Sequence, residues 1–303
     1  MEEKNKLLFL WLNTDEFHAR QVAKRGYRVS KIFKQSNLFP RIIRRIIIEL
    51  RLPGISYWIP SWKEEIIFFD TVIIHASKLT PPVVKFIRKK NPKIRIVVWY
   101  WNPVDKTVDI DRISESNCEL WSFDKADCDL YGLMYNTQYY FDNIEIDTRI
   151  MKYDVIFVGR DKGRRKGLLE IQKILDGLGI SNFFFIAPSS KIIINREKFY
   201  SKSLSYTEYL HYISKSKVIL DYVSEGQSGL TVRPLEALFL KKKLITNNFS
   251  IRNMNFYRSE NIFIYGEDKI ENLANFIDTP YAEVEEEIVK YYDFDNWILR
   301  FFK

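Results

Sequence analysis

Three runs decide the fold: Val218-Ile219-Leu220-Asp221-Tyr222-Val223, then Ser228-Gly229-Leu230-Thr231-Val232-Arg233-Pro234-Leu235-Glu236-Ala237-Leu238, then Lys243-Leu244-Ile245-Thr246. Two short apolar runs rich in β-branched residues flank a segment of helical periodicity, which reads as strand, turn, helix, strand. Gly226 and Gly229 free the backbone where the helix, expected over residues 231–240, begins. The unpaired N–H groups and partial positive charge of a helix start suit a phosphate, and Arg233 adds a fixed cation in the first turn. Glu236, about one turn further on, offers a carboxylate to hydroxyl groups.

The same alternation extends in both directions. Upstream within the second half lie the strand 154–160, a helix over 166–178, the strand 183–186 and a helix over 206–214; downstream, residues 262–265 read as a last strand. The first half begins with the strand 7–12 and a helix to Lys24 closed by Gly26, followed by a strand over 27–33. Further strands are expected at 71–74, 94–101 and 119–123, with a proline-started helix over 81–90. Short apolar strands separated by helices indicate a parallel α/β sheet. With 303 residues, the chain accommodates two such domains of ordinary size. The expected division is 1–147 and 148–303, with the linker near 143–152 and an aromatic, helix-like tail at 291–302.

Composition narrows the function. The chain is 46% hydrophobic and 16% aromatic, which supports packed cores and excludes disorder. Cys118 and Cys128 are the only cysteines and His18, His75 and His211 the only histidines; none has metal-ligand spacing, so no metal site and a reducing compartment are expected. The start MEEKNKLLFLWLN is too acidic and its apolar part too short for a signal peptide, and no apolar run is long enough to span a bilayer. A cytoplasmic protein, at most peripheral to the membrane, is the expectation. The formal charge of +8 is compatible with anionic partners, but no nucleic-acid motif accompanies it, which ranks nucleic acid low. Cations concentrate over residues 31–51, where Arg41, Arg44 and Arg45 flank the apolar positions Ile42, Ile43, Ile46, Ile47 and Leu50. Two readings fit: an amphipathic helix packed on the core with its charges in water, or one that faces anionic lipid or an acceptor cleft.

A second turn packs five cations among three glycines, Val158-Gly159-Arg160-Asp161-Lys162-Gly163-Arg164-Arg165-Lys166-Gly167. It follows the first strand of its half, and the carboxyl ends of strands in doubly wound sheets border the ligand crevice. Arg160 and Lys166 are therefore expected to clamp a diphosphate. The spacing GxxxxGK[ST] is absent, as is GxGxxG, so neither a P-loop nor a dehydrogenase is indicated.

The VGR stretch with its basic turn, the segment Phe123-Asp124-Lys125-Ala126-Asp127-Cys128-Asp129-Leu130-Tyr131-Gly132-Leu133, the SGLTVRPLEAL run, KKLIT and the aromatic tail together resemble bacterial GT-B glycosyltransferases of capsule, O-antigen and lipopolysaccharide assembly. The matches run from about residue 121 to the end; the first 120 residues agree only in their α/β rhythm. The resemblance implies two Rossmann-like domains facing each other across a cleft. The second would bind a nucleotide-diphosphate sugar and the first a glycan acceptor, expected to be lipid-linked. Residues Glu225, Gly226, Gln227, Ser228, Gly229, Leu230, Thr231, Arg233 and Glu236 would line the donor site, with Glu236 on the ribose. Many retaining members carry two glutamates eight residues apart; here Ser228 stands where the first would be, which leaves retaining or inverting chemistry open. No cofactor beyond the donor substrate is implied. For an inverting reaction, the candidates for deprotonating the acceptor lie after strands of the first half: His75, Asp15 and Asp105. Trp99, Tyr100 and Trp101 offer rings for sugar stacking or for the core. The rival functions are a double-Rossmann nucleotide-sugar epimerase, which would want more histidines and carboxylates than this second half has, and a non-catalytic binding partner in polysaccharide assembly.

Overall fold

A computed structural model describes residues 2–114, 117–189, 204–223 and 229–303. They divide into two compact units, Met1–Thr137 and Gln138–Lys303.

The first unit is built on strands β1 (Leu7–Trp11), β2 (Arg28–Lys31), β3 (Thr71–His75), β4 (Arg95–Tyr100), β5 (Glu119–Ser122) and β6 (Met134–Tyr135), all parallel, in the order β2-β1-β3-β4-β5-β6. Apolar residues on both faces of the central strands require cover on both sides, the pattern of a doubly wound sheet. Leu8, Leu10, Val72, Ile74, Ile96 and Val98 share one face and pack with Val83, Val84 and Ile87 of the helix Thr80–Lys90.

The second unit repeats the plan with β7 (Tyr153–Arg160), β8 (Asn182–Ala187), β9 (Ser216–Asp221), β10 (Lys243–Thr246) and β11 (Ile262–Ile264), parallel, in the order β11-β10-β9-β7-β8. Val155, Phe157, Val218, Leu220, Ile245 and Phe263 face Leu168, Ile171 and Leu175 of the helix Arg165–Gly177. Ile156, Val158, Ile219, Leu244 and Ile264 face Ile213 of the helix Tyr206–Ser214 and Leu235 and Leu238 of the helix Arg233–Phe239. Two Rossmann-like α/β units result, the fold class read from the sequence.

In both sheets the first strand lies between the second and the third in chain order, so the connections leave it in opposite directions. The ligand crevice of such a sheet opens where that reversal occurs, outside the carboxyl ends of the strands. In the first unit this point lies between β1 and β3, and in the second between β7 and β9.

Three features differ from the sequence reading. The division falls between Thr137 and Gln138, ahead of the 147/148 boundary expected from composition. The reason is aromatic packing: Tyr139, Tyr140 and Phe141 are fully buried, Tyr139 packs 4.3 Å from Trp297, and Tyr140 pairs by a β-bridge with Asp293. The expected aromatic tail is two short helices, Glu286–Tyr291 and Phe294–Leu299, broken where Asp293 caps the second by accepting from Asp295 N. The basic helix spans Leu38–Glu49, and of its residues Ile48 alone is buried. Ile47 and Ile48 pack on the core of the first unit while Ile42, Ile43, Ile46 and Leu50 are exposed, so the helix follows the core-packed reading only in part; Arg44, stacked 4.6 Å over the ring of Phe33, helps tie it to the body.

Candidate functional site at the second switch point

The end of β7 and the end of β9 bring together the cations of two distant segments. Arg233 Nη2 donates to the Val158 carbonyl at 2.7 Å, and Nη1 lies 3.4 Å from Oδ1 of Asp221, a carboxylate with no exposed surface. Thr231 Oγ1 donates to the other Asp221 oxygen at 2.8 Å. Arg164 reaches the same place from the basic turn: it donates to the Tyr222 carbonyl, and its Nη2 to the Arg160 carbonyl at 3.1 Å. The guanidinium carbons of Arg164 and Arg233 stand 5.2 and 5.4 Å from the Phe157 ring centre, within cation–π range.

Gly159 makes this approach possible. A Cβ there would lie 2.6 Å from Arg233 Nη2, 3.1 Å from Phe157 Cζ and 3.2 Å from Arg164 Nη2. Gly167, in the helix that follows, likewise leaves room for a neighbour: any Cβ there would strike the Tyr222 hydroxyl and ring.

The electrostatics record a local excess of positive charge. Burial, and then Arg233, lowers Arg164 to about 10. The Lys162 amine is lowered by burial first and then by Arg164, Arg233 and Arg160. Arg233 moves the other way, because Tyr209, Asp221 and Glu236 outweigh the burial that pulls it down. Arg164 and Arg233 thus stand together beside Asp221, with the exposed Arg160 and Lys162 close enough to add to the positive field, and a bound anion would relieve their mutual repulsion.

Of the residues singled out in the sequence, the structure brings Thr231 and Arg233 to this place, while Arg160 contributes its carbonyl to Arg164 and keeps its side chain exposed. Leu230 is buried in the core beside Leu235. Gly229 is buried too, while Glu225, Gly226, Gln227 and Ser228 lie outside the described residues. Lys166 does not join the cluster: its side chain is 92% exposed and lies 4.0 Å from Glu170 on the solvent face of its helix. Arg164, which the sequence reading passed over, takes that place at 8% exposure. The motif helix is short, seven residues from Arg233 to Phe239, so the positive character of the site comes from side chains more than from a helix terminus.

Glu236 is 3% exposed, and both its oxygens accept from tyrosines: Tyr206 at 2.6 Å and Tyr209 on the other oxygen, with Tyr140 a further 2.7 Å from the Tyr206 hydroxyl. Burial raises its pKa above the ordinary value against the lowering effect of those hydrogen bonds. The residue expected on a ribose is here the centre of a buried network that fixes the helix carrying Arg233, with both its oxygens engaged by tyrosines.

The switch point of the first unit is aromatic. His75 ends β3 between Trp11, 4.2 Å away, and Trp101, with which it stacks at 5.4 Å; His18 meets Trp101 edge-on at 5.4 Å. Burial drops His75 to about 3, with His18 adding to the effect, and burial alone drops His18 to about 4. Both rings are neutral at pH 7. Asp15 is paired with Lys31 at 3.2 Å, and Asp105 is exposed and paired with Lys106 at 2.6 Å.

The chain matches no family model and no curated protein. Among solved structures it is similar to TarM, with 12% identity and a TM-score of 0.49 over 77% of this chain and 54% of that one. It is also similar to the spinosyn forosaminyltransferase SpnP, with 10% identity and a TM-score of 0.40 over 95% of this chain and 92% of that one. The chain spans about half the length of TarM.

Proposed function

We propose that the protein is a glycosyltransferase that takes a sugar from a nucleotide-diphosphate donor and passes it to a glycan acceptor of bacterial surface polysaccharide. The observation that carries the reading is the pairing of Arg164 and Arg233 over the Phe157 ring at the switch point of the second sheet, with the exposed Arg160 and Lys162 adding positive charge and Arg164 lowered to about 10 by its surroundings. A diphosphate leaving group develops negative charge as its bond to the sugar breaks. Fixed cations in a partly buried site stabilise that charge without reorganising, and they supply what a divalent ion would otherwise bring. The donor is accordingly assigned to the second unit, with no metal ion in the scheme.

The first unit is assigned to the acceptor. Trp101 and His75, both partly exposed, offer stacked ring faces at the switch point, which suit the apolar face of a sugar ring. A histidine as acidic as His75 removes a proton poorly, so the ring fits positioning better than general-base work. The sequence resemblance to GT-B enzymes supports the same assignment of donor and acceptor.

The test is calorimetry with uridine, guanosine and thymidine diphosphates and the matching nucleosides on the wild type, Arg164→Ala and Lys166→Ala. Loss of a charge-assisted contact of about 1.5–3 kcal/mol corresponds to a roughly 10–150-fold weaker diphosphate in Arg164→Ala. Nucleoside binding and the Lys166→Ala variant should be unchanged. A wild type that binds no nucleotide diphosphate would end the reading.

A further inference from the structure

The helix Leu38–Glu49 leaves an apolar stripe uncovered. Leu38, Phe39, Ile42, Ile43, Ile46 and Leu50 are 72, 71, 48, 38, 48 and 64% exposed. At the helical step of about 100° per residue they fall within an arc of roughly 140°. Arg41 and Arg45 lie beyond one edge of that arc, and Ile47 and then Arg51 beyond the other. A row of six large apolar side chains at such exposure exceeds the scattered surface leucine that needs no explanation.

At the carboxyl-terminal end of the same helix an open cavity of about 830 Å³ begins at Ile47, Ile48 and Arg51. Its lining has an apolar floor that includes Pro81, Pro82 and Phe86 and, among the described residues, carries Arg51, Lys63, Lys85, Lys89, Lys90 and Arg112 against one carboxylate, Glu64. Lys63 is 3.8 Å from Glu64 and Arg112 is 3.9 Å from Glu49. Arg51, Lys89 and Lys90 make no ion pair among the described residues. The apolar stripe and the basic cavity are therefore continuous through Ile47 and Arg51.

We infer that this face docks on an anionic lipid surface, with the stripe entering the interface and the cavity seating the phosphate of a lipid headgroup. The two halves of the surface match the two layers of a membrane interface: apolar side chains for the acyl boundary, with Glu49 at the end of the stripe facing Arg112 at 3.9 Å, and cations with an apolar floor for the phosphate layer beside it. The excess of cations over carboxylates in the cavity selects a negatively charged lipid over a zwitterionic one. No helix among the described residues is long and apolar enough to cross a membrane, so attachment is by surface contact. The surface stands on observations separate from the donor site, and its readout is partition between vesicle and solution, not sugar transfer.

The experiment is co-sedimentation of the full chain with vesicles of phosphatidylcholine alone and of phosphatidylcholine mixed with phosphatidylglycerol, at rising salt. Binding is expected only to the mixed vesicles, and it should weaken as salt increases. Replacing Lys89 and Lys90 by Ser should reduce the partition roughly fivefold per cation removed. Replacing Ile42 and Ile46 by Ser, both exposed and safe for folding, should reduce it as well. Equal binding to phosphatidylcholine alone, or binding untouched by both variants, overturns the proposal. So does a dimer in solution that Ile42→Ser/Ile46→Ser converts to monomer, since the stripe would then belong to a second copy of the chain.

Discussion

Gly159→Ala is the smallest change that strikes the candidate donor site. The added methyl would sit 2.6 Å from Arg233 Nη2, a separation at which something must move, and 3.2 Å from Arg164 Nη2. Gly159 is paired with Ile186 of β8, and the β9 pairing of its strand ends at Ile156, so the backbone is held on one side and the flexible guanidinium is the freer of the two to yield. When it moves, Arg233 loses its 2.7 Å bond to the Val158 carbonyl and shifts away from Asp221, already at 3.4 Å. A hydrogen bond involving a charged group is worth about 1.5–3 kcal/mol, so stability should fall by that order. The same displacement removes one aimed cation from a bound diphosphate and should weaken it by roughly 10–150-fold. Gly177→Ala is the control, because a Cβ there meets nothing within 4 Å and the residue ends a helix. Thermal melts and calorimetry with nucleotide diphosphates measure both effects. A Gly159→Ala protein with unchanged melting and unchanged diphosphate affinity would show that Arg233 is not held where the reasoning needs it.

Two pH effects follow from buried groups. Glu236, raised above 4.5 by burial, holds its proton more tightly in the folded chain, so its contribution is fully present below 4.5 and is lost as pH rises through the folded value. Glu236→Gln should remove that decline from melts taken across the range, and an identical profile in both proteins would place the carboxyl in contact with solvent. His18 and His75 act in the opposite sense: their folded values of about 4 and about 3 lie below 6.5, so the stability they confer is present above 6.5 and lost as pH falls toward those values. The slope is about 1.4 kcal/mol per pH unit for each histidine, and His75→Phe should halve it; a slope indifferent to that change would mean the ring is hydrated.

The central strands were legible because β1, β3, β4, β9 and β10 are short apolar runs, many of their residues β-branched, covered on both faces. The expected strands at 71–74 and 262–265 differ from β3 and β11 by one residue at one end. β6 carried no such signal: Met134 and Tyr135 are both exposed, and two residues make no periodicity. In the site, Arg233 could be read from its own segment. Arg164 could not be told from Lys166, because their directions depend on where the helix begins: it starts at Arg165, leaving Arg164 outside it to turn back toward Tyr222 and setting Lys166 on the solvent side. Glu236 was singled out for its chemistry, yet its partners Tyr206 and Tyr209 lie on another helix and no spacing announced them. The basic helix stayed open between two readings for a related reason. Its pattern predicts an apolar face correctly but does not say what covers that face.

The bond between Tyr140 and the last helix has a consequence for how the chain is made. The β-bridge to Asp293 and the packing of Tyr139 against Phe294 and Trp297 close the second unit with its own first and last residues. During synthesis the first unit has all its strands once Tyr135 has emerged and can fold while the rest is still being translated. In the second unit Tyr140 can meet Tyr206 and Phe239 early, but the rings that pack on Tyr139, Phe294 and Trp297, come only with the last helix. Until then Tyr139 lacks the rings that cover it, and that is the interval in which the nascent chain is most open to chaperones and to aggregation.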